Sequence, residues 1–394
     1  MPWKESSVMD ERTKFVGRLL TGDKMAALCR EFGISRVTGY KIWNRYQEQG
    51  REGIYNRSKA PRTHPNQVPY GVEQMIVRLK KEKPRWGAPK IRELVAKRYS
   101  DIKLPAISTV HCILDRHGLV NKKKRRKKFT SIAGYLSNPK QPNDLWCTDF
   151  KGQFKMQNMH YCFPLTISDF KSRFLIGCEA LNSTSENPCY SVFEHAFKEY
   201  GLPKAIRSDN GVPFASGNSL WGLTKLSVWW IRLGIKIERI EPGNPQQNGR
   251  HERMHRTLKL EATKPPGSNL LQQQEKFFGF LYEYNYERPH QSLDMKCPGE
   301  VYNKSPRQYK GFTDITYPGF DKILLISNCG RVCMRGGKIH VSQAFANQPV
   351  GLNEVDDNIW EVSFMDYKLG YFDEFSRKFA PKDDPFGIKL DKVI

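Results

Sequence analysis

Three acidic residues stand at positions where a protein chain commonly holds a divalent cation. Asp149 lies within the strand-like segment 145–150, and Asp209 ends a second strand-like segment just before a turn signal. Glu252 lies in the first turn of a helix that is predicted to begin near Gly249. Carboxylates at strand ends and on a helix can converge on one metal centre, and such oxygen ligands suit Mg²⁺ or Mn²⁺.

The helix that carries Glu252 is expected to present two cations beside the carboxylate. Glu252, Arg256 and Lys259 fall on one helical face, whereas Met254 and Leu258 mark the face turned toward the core. Lys259 lies about 10 Å along the helix from the acid, which is too far for a metal ligand but well placed to hold a phosphate. The alternative is a solvated helix face on which Lys259 pairs with a neighbouring acid.

At these acids the sequence resembles the DDE transposases of bacterial insertion sequences, whose catalytic domain is close to that of retroviral integrases. The resemblance rests on the following motifs: Thr148-Asp149-Phe150, Ser208-Asp209-Asn210-Gly211, Asn244-Pro245-Gln246-Gln247-Asn248-Gly249 with Glu252, Tyr284-Asn285 and Arg288-Pro289-His290. It implies that Asp149, Asp209 and Glu252 are the catalytic residues and the ligands of Mg²⁺ or Mn²⁺, with two ions. Forty-two residues separate Asp209 from Glu252, a longer gap than the family usually has, and we expect a loop insertion at 216–225.

Charge distribution supports a nucleic-acid partner. The net charge is +23, and residues 1–128 hold 31 Lys and Arg against 12 Asp and Glu. A basic region of this kind favours DNA binding, because each phosphate that a cation neutralises releases condensed counterions.

No apolar run reaches the ~20 residues of a membrane span, and no signal peptide is recognisable, so we expect a cytoplasmic, nucleoid-associated protein. The nine Cys are scattered without the paired spacing of a zinc site and are expected to be reduced thiols.

Residues 1–50 are predicted to form a helix-turn-helix DNA-binding domain. Gly33 breaks a second helix, and Ser35 is expected to cap a third one that runs to about Gln49. The residues expected to be exposed near the start of this third helix are Ser35, Arg36, Thr38, Gly39 and Lys41, of which Arg36, Thr38 and Lys41 are predicted to contact DNA. A structural three-helix bundle is the alternative.

A linker is predicted at 51–69, followed by a second helix-turn-helix domain at 70–121, in which Ser108 is expected to cap the last helix. The basic linker 122–137 contains seven consecutive cations. We predict that four of them contact DNA, while a solvated tail is the alternative. These four are Lys123, Lys124, Arg125 and Arg126.

Residues 138–308 are predicted to form an α/β catalytic core with a mixed sheet, and the resemblance implies a ribonuclease-H-like fold. Asp169 competes with Asp149 for a metal role, but its position in a hairpin turn favours a structural one. Residues 309–394 alternate short apolar runs with turns, which predicts a small all-β C-terminal domain. The chain as a whole is therefore expected to be multidomain, with all-α helix-turn-helix units at its N-terminus.

The activity that the resemblance implies is metal-dependent cleavage of the ends of an insertion sequence and their transfer to target DNA, by a homo-oligomer on double-stranded DNA. Two alternatives remain at this point. One is a DNA-binding regulator on an inactive integrase-like core, and the other is a metal-dependent nuclease that cuts without joining.

Overall fold

The structure is a computed structural model that describes residues 7–58, 67–121, 136–241, 244–334 and 336–386. The chain divides into two compact units, residues 1–70 and residues 71–394. No helix within the described ranges is long and apolar enough to cross a membrane.

The first unit contains helices α1 (Val8–Leu20), α2 (Met25–Glu31) and α3 (Arg36–Gln49). Gly33 has a φ of 61° in the turn between α2 and α3. Ser35 caps α3 as predicted, because its Oγ accepts a hydrogen bond from the Thr38 backbone N–H at 3.2 Å. Gly39 was expected to be exposed and is instead buried, since it is the point at which α3 crosses α2.

Helices α4 (Tyr70–Glu82), α5 (Ala88–Arg98) and α6 (Ile107–Arg116) form the second helical region. The N-cap of α6 is Ala106, so the prediction of Ser108 as the cap is wrong, and Ser108 lies in the first turn. This region packs against the catalytic core within one compact unit. Lys83 Nζ lies 2.8 Å from a Glu283 carboxylate oxygen and 3.0 Å from one of Glu287.

A mixed sheet forms the centre of the catalytic core. Its strands are β1 (Leu145–Phe150), β2 (Phe154–Lys155), β3 (Tyr161–Asp169), β4 (Leu175–Leu181), β5 (Ala205–Ser208) and β6 (Lys236–Arg239). The order is β2-β3-β1-β5-β6, with β4 paired to β3. β3 is antiparallel to β1 and β4, whereas β1, β5 and β6 are parallel to one another, which confirms the mixed sheet.

Helices cover both faces of this sheet. The connections between strands contain α7 (Glu186–Tyr200) and α8 (Lys225–Arg232), and the chain continues into α9 (Gly249–Glu261), α10 (Leu270–Tyr282) and α11 (Pro298–Val301). One face packs apolar side chains with α7 and α8, among them Leu165 and Ile167 of β3. The other face meets α9 and α10 through a second apolar cluster that includes Met254, Leu258 and Phe277.

The C-terminal region is all-β, as predicted. It contains β7 (Lys322–Leu325), β8 (Arg331–Met334), β9 (Gly337–His340), β10 (Pro349–Asp356), β11 (Ile359–Phe364), β12 (Tyr367–Asp373) and β13 (Lys378–Pro381). The antiparallel sheet has the order β13-β12-β11-β10-β7, and β8 and β9 form a hairpin. Its apolar side chains share one buried cluster with α8.

The segment predicted to be a loop insertion, 216–225, contributes to this contact. It contains the short 3₁₀ turn Leu220–Gly222 and then enters α8. Trp221 in that turn is buried, and its Nε1 donates a hydrogen bond to the Lys382 carbonyl at 2.7 Å. The extra residues therefore anchor the catalytic core to the C-terminal region.

We expect Gly39→Ala to loosen the first unit. A Cβ at this position would lie 2.6 Å from Cys29 Sγ and 3.0 Å from Met25 Sδ, and such overpacking destabilises by about 1–3 kcal/mol. Hydrogen exchange of peptides from residues 7–58, measured by mass spectrometry on the full chain, should become faster.

Gly17→Ala is the matched control on α1. No heavy atom of the described residues lies within 4 Å of a Cβ placed there. The change should slow exchange slightly, because Ala is favoured over Gly inside a helix by about 0.5–1 kcal/mol. Equal exchange rates in the two variants would contradict the close crossing of α2 and α3.

Candidate active site

Two acidic residues lie at the same edge of the central sheet. β1 and β5 are parallel neighbours, with Cys147 opposite Arg207. Asp149 lies two residues beyond Cys147, and Asp209 lies two residues beyond Arg207. Parallel strands end on the same side of a sheet, so both carboxylates belong to one crevice at its carboxyl edge.

Helix α9 brings the third acid to this edge. A 3₁₀ turn, Pro245–Asn248, leads directly into α9, and Glu252 lies in its first turn. Glu252, Arg256 and Lys259 are exposed, while Met254 and Leu258 are buried, which is the division of faces that the spacing predicts.

Arg207 holds the loop before α9 against the sheet. Its side chain is only 2% exposed and lies 2.9 Å from Glu238 Oε2. Its Nη1 also donates a hydrogen bond to the carbonyl of Gln247, which lies in the 3₁₀ turn before α9, at 3.3 Å. Arg207 therefore positions the start of α9 relative to β5 and β6.

A buried polar network joins α9 to the two strands beneath it. Thr166 Oγ1 on β3 donates to the Asp149 carbonyl at 2.9 Å. The same hydroxyl lies 2.8 Å from His251 Nε2 and 2.6 Å from His255 Nε2. Because the single hydroxyl hydrogen is used by the carbonyl, both rings must carry their proton on Nε2 and donate it to Thr166. Ser168 Oγ then donates to His251 Nδ1 at 2.7 Å.

Both histidines are neutral. Burial lowers the pKa of His251 to about 3. Burial, with the nearby His251 and Lys151, holds the pKa of His255 far below its usual range. The 3.6 Å contact between His255 Nδ1 and Asp149 Oδ2 is therefore not an ion pair. It places an unprotonated ring nitrogen beside the carboxylate.

The three acids influence one another electrostatically. Burial raises the pKa of Asp149 to about 7, with smaller contributions from the charges of Asp209 and Glu252. Burial also raises the pKa of Asp209. Within the part of the chain that the structure describes, no group of three or more His, Cys, Asp and Glu side chains is arranged to hold a metal ion. The acids are thus near one another without forming a preformed cage.

The donor set nevertheless fits a hard divalent cation in its chemistry. Asp149 and Asp209 are half-buried. Neighbouring ionised carboxylates repel one another, and a bound cation would relieve this repulsion and favour their charged forms. Oxygen-only donors of this type suit Mg²⁺ or Mn²⁺, which retain several waters and also bind phosphates.

Asp169, which competed for the metal role, is used by the fold instead. Its carboxylate is 1% exposed and accepts hydrogen bonds from the backbone N–H groups of Asn143 and Ser172, both at 2.7 Å, and from Ser172 Oγ at 2.6 Å. Glu261 accepts two hydrogen bonds from Arg288 Nη1, at 2.9 and 2.7 Å. Glu261 is therefore not the partner of Lys259 in this structure.

The predicted DNA-contacting residues fall into three groups. Arg36, Thr38 and Lys41 are exposed on the first turns of α3 in the first unit. Arg256 and Lys259 are exposed on α9 in the second unit. The four residues Lys123, Lys124, Arg125 and Arg126 lie outside the described residues.

Sequence reasoning missed the residues that position the acids, chiefly Thr166, His251, His255 and Arg207. A signal for the histidines was present, because they are spaced i, i+4 on the buried side of the helix. Thr166 gave no comparable signal, since a Thr within a strand is ordinary.

Comparisons with known proteins identify related domains in this chain. Two family models, each described as an integrase core domain, match residues 139–245 and 233–298. A helix-turn-helix domain model matches residues 11–62, and a homeodomain-like domain model matches residues 38–114.

The chain is 23% identical over 239 residues to an uncharacterized 31.7 kDa protein of insertion element IS407 from Burkholderia multivorans, covering 60% of this chain and 81% of that protein. It is 23% identical over 237 residues to an uncharacterized 39.2 kDa protein of IS476 from Xanthomonas euvesicatoria, covering 60% and 66%. Among solved structures, the catalytic core domain of HTLV-2 integrase in complex with magnesium, in its trimeric form, aligns with 18% identity and a TM-score of 0.33, covering 43% of this chain and 100% of that one.

Residues 139–298 therefore match integrase core models, and residues 11–114 match helix-turn-helix and homeodomain-like models. The class predicted from its motifs, bacterial insertion-sequence transposases with an integrase-like core, is confirmed by the domain models and the insertion-element relatives.

We expect Thr166→Val to loosen α9 from the sheet. Valine has nearly the same shape but leaves the two His N–H donors and the Asp149 carbonyl without their shared partner. Unsatisfied buried polar groups cost about 1–3 kcal/mol each, so hydrogen exchange of peptides spanning 249–261 should become faster.

Thr263→Val is the matched control. Thr263 is also buried, and its Oγ1 donates only to the Lys259 carbonyl at 2.9 Å, four residues earlier in the chain. Its loss should change exchange at the start of α9 little. If both variants exchanged at the wild-type rate there, the network would not be what holds the helix.

Proposed function

We propose that this protein is a DNA transposase that cleaves the ends of an insertion sequence and joins them to target DNA. The observation that carries the proposal is the placement of Asp149 and Asp209 at the ends of adjacent parallel strands, with Glu252 in the first turn of α9. The integrase core models cover all three positions.

In this proposal Asp149, Asp209 and Glu252 would hold Mg²⁺ or Mn²⁺, as two ions. When bound, the ions supply the charge that activates water and then a 3′-hydroxyl, and that stabilises the leaving oxygen. Thr166 and the two histidines keep the backbone of Asp149 and the first turn of α9 in register, so Asp149 and Glu252 are presented together. No side-chain nucleophile takes part.

Cations on one side of the acids would orient the DNA strand. Lys151 follows Asp149 by two residues, and burial together with the neighbouring charge of Lys259 lowers the pKa of Lys151. With Arg256 they form a positive surface along the exposed face of α9. Phosphate contacts of this kind fix the position of a strand without selecting its sequence.

DNA recognition is assigned to the helical regions. Arg36, Thr38 and Lys41 lie at the start of α3, where a helix-turn-helix protein contacts base edges in the major groove. Lys123, Lys124, Arg125 and Arg126 would follow the DNA backbone through charge alone. The working form is proposed to be a homo-oligomer on DNA, in the cytoplasm beside the nucleoid.

We expect Asp149→Asn, Asp209→Asn and Glu252→Gln each to abolish Mg²⁺-dependent cleavage and joining. Loss of one carboxylate removes an anionic ligand from the proposed metal site, so titration with Mn²⁺ monitored by electron paramagnetic resonance should also show weaker binding. Binding of end DNA without metal should stay close to wild type, because the helix-turn-helix regions lie elsewhere in the chain.

Glu275→Gln is the matched control, since Glu275 is an exposed helical acid on α10. If one of the variants at Asp149, Asp209 or Glu252 kept both Mn²⁺ binding and cleavage, that residue would not be a ligand of the proposed metal site. Absence of cleavage by the wild type on its own element's ends would favour the regulator, and cleavage without transfer of a pre-cut end would favour the nuclease.

Lys259→Glu should depress end cleavage strongly at low salt, because the new carboxylate repels the terminal phosphates. Its effect should shrink as salt screens the charges, over a Debye length of about 10 Å at ~0.1 M. Lys225→Glu, at the exposed first position of α8, is the charge-matched control. Wild-type cleavage rates for Lys259→Glu at low salt would show that this face of α9 does not meet DNA.

A further inference from the structure

A second group of cations surrounds a buried histidine on the other side of α9. His290 is 8% exposed, and its ring stacks edge-on against Tyr284 with centroids 5.0 Å apart. Its Nε2 is buried without a hydrogen-bond partner among the described residues. An orphaned buried nitrogen of this kind is rare in folded proteins and calls for a ligand or a water.

The four cations come from four separate parts of the second compact unit. Lys90 lies on α5, Arg173 follows β3, Arg253 lies on α9, and Arg288 follows α10. Arg173 lines one small cavity together with Tyr284, whose ring contacts His290. Burial and the charges of the four cations lower the pKa of His290 to about 3. Arg253 is exposed and Lys90 and Arg173 are half-buried, so the group has an open side.

Negative charge does not balance this group. Arg288 pairs with Glu261, but Lys90, Arg173 and Arg253 make no ion pair within the described residues. Burial and the charges of Arg288 and Arg253 lower the pKa of Lys90 to about 7 against the opposing charge of Glu261. Burial with Arg250 and Arg253 lowers the pKa of Arg173. Like charges held together in a partly buried site favour an anion that restores their full charge.

The buried ring of Trp86 packs beside two of these cations, Lys90 and Arg288. The ring is 1% exposed, and Lys83 Nζ, Lys90 Nζ and the Arg288 guanidinium carbon lie 5.5, 5.9 and 5.8 Å from its centroid. Lys83 is already paired with Glu283 and Glu287. Lys90 is therefore held in place by packing while its charge remains available to a ligand.

We propose that Lys90, Arg173, Arg253 and His290 form a binding site for one phosphate group of the DNA backbone, with the imidazole available as a hydrogen-bonding group at its base. This inference rests on the proposed function, because it takes DNA as the bound polymer. Arg253 follows Glu252 directly and projects about 100° around the helix from it. A strand held at this site therefore passes from the second helical region to the three acids.

The test asks whether one side chain contacts one particular phosphate of the DNA. End DNA is prepared as a series of duplexes, each with a single uncharged methylphosphonate near the cleavage point, and binding is measured with the full-length wild type, Lys90→Gln and Lys97→Gln. Lys97 is the matched control, since it lies on the same helix and pairs with Glu300 instead.

With the wild type, one methylphosphonate position should weaken binding about tenfold or more, as expected when a hydrogen bond to a charged group is lost. In Lys90→Gln that position should have little further effect, and the slope of log affinity against log salt should fall by about 0.9. In Lys97→Gln the tenfold penalty should remain. Penalties that were equal in all three proteins at every position would overturn the proposal.

Two further arms remove ambiguity. If Lys90→Gln proves unfolded by circular dichroism, Arg253→Gln replaces it in the same series, with the same outcomes. If Lys90→Gln weakens binding of inorganic phosphate, measured by calorimetry, without changing the salt slope for DNA, the site takes free phosphate and the assignment to DNA is overturned. Cleavage of the same duplexes by the wild type tests the proposed function separately. If the wild type cleaves DNA but the methylphosphonate penalty does not depend on Lys90, only the phosphate site is refuted.

Discussion

One hydroxyl group sets the relation between the acids and the helix above them. Thr166 Oγ1 binds the backbone carbonyl of Asp149 and accepts hydrogen bonds from both histidines of α9. β1 and β3 are paired directly at this point, with Asp149 opposite Thr166. Any shift of α9 along the sheet would break two buried hydrogen bonds at once, so the helix has one favoured register. That register decides where Glu252 stands relative to Asp149.

The same hydrogen-bond network allows the acidic site to lie next to the apolar core. The histidines are neutral because they are buried, so they add hydrogen bonds without adding positive charge next to Asp149. A Lys or Arg at either position would neutralise the carboxylate and compete with a divalent cation for it. The chain instead supplies positive charge from Lys151 and Lys259, which act on each other near Asp149, and from Lys90, Arg173 and Arg253, which act on His290. A DNA strand and metal ions have opposite charges, and this separation suits both.

Much of the fold follows from local sequence patterns, and the exceptions share a physical cause. Ser35 caps α3 as predicted, because capping signals act over a few positions. The acids at strand ends were recognisable because strand and turn signals adjoin there. β10, the longest strand of the C-terminal sheet, pairs with β7 and β11, and its bounds were not predicted. Its place depends on partners distant in sequence, which no local pattern records.

Site residues divide along the same line. Glu252, Arg256 and Lys259 were found because they are charged and share a helical face, whereas Arg207 and Thr166 act through contacts across the sheet that only the tertiary structure defines. The assignment of the three acids as metal ligands stays a prediction, since its geometry depends on how Glu252 turns toward the other two.

Side-chain contacts connect the second helical region to the catalytic core. Lys83 bridges α4 to the segment after α10, and Lys97 pairs with Glu300 on α11. Between these contacts the buried ring of Trp86 packs beside Arg288, which is itself fixed by Glu261 at the end of α9. A continuous set of side-chain contacts therefore connects the second helical region to the helix that carries Glu252. Each side chain in it makes a charged hydrogen bond or packs against a buried aromatic ring. In the proposed function, DNA bound to the second helical region would therefore be held at a set position relative to the acids. Within the second compact unit, the second helical region and the helix that carries Glu252 are thus parts of one packed structure. In the proposed function, this packing would set the position of the cut relative to the bound sequence.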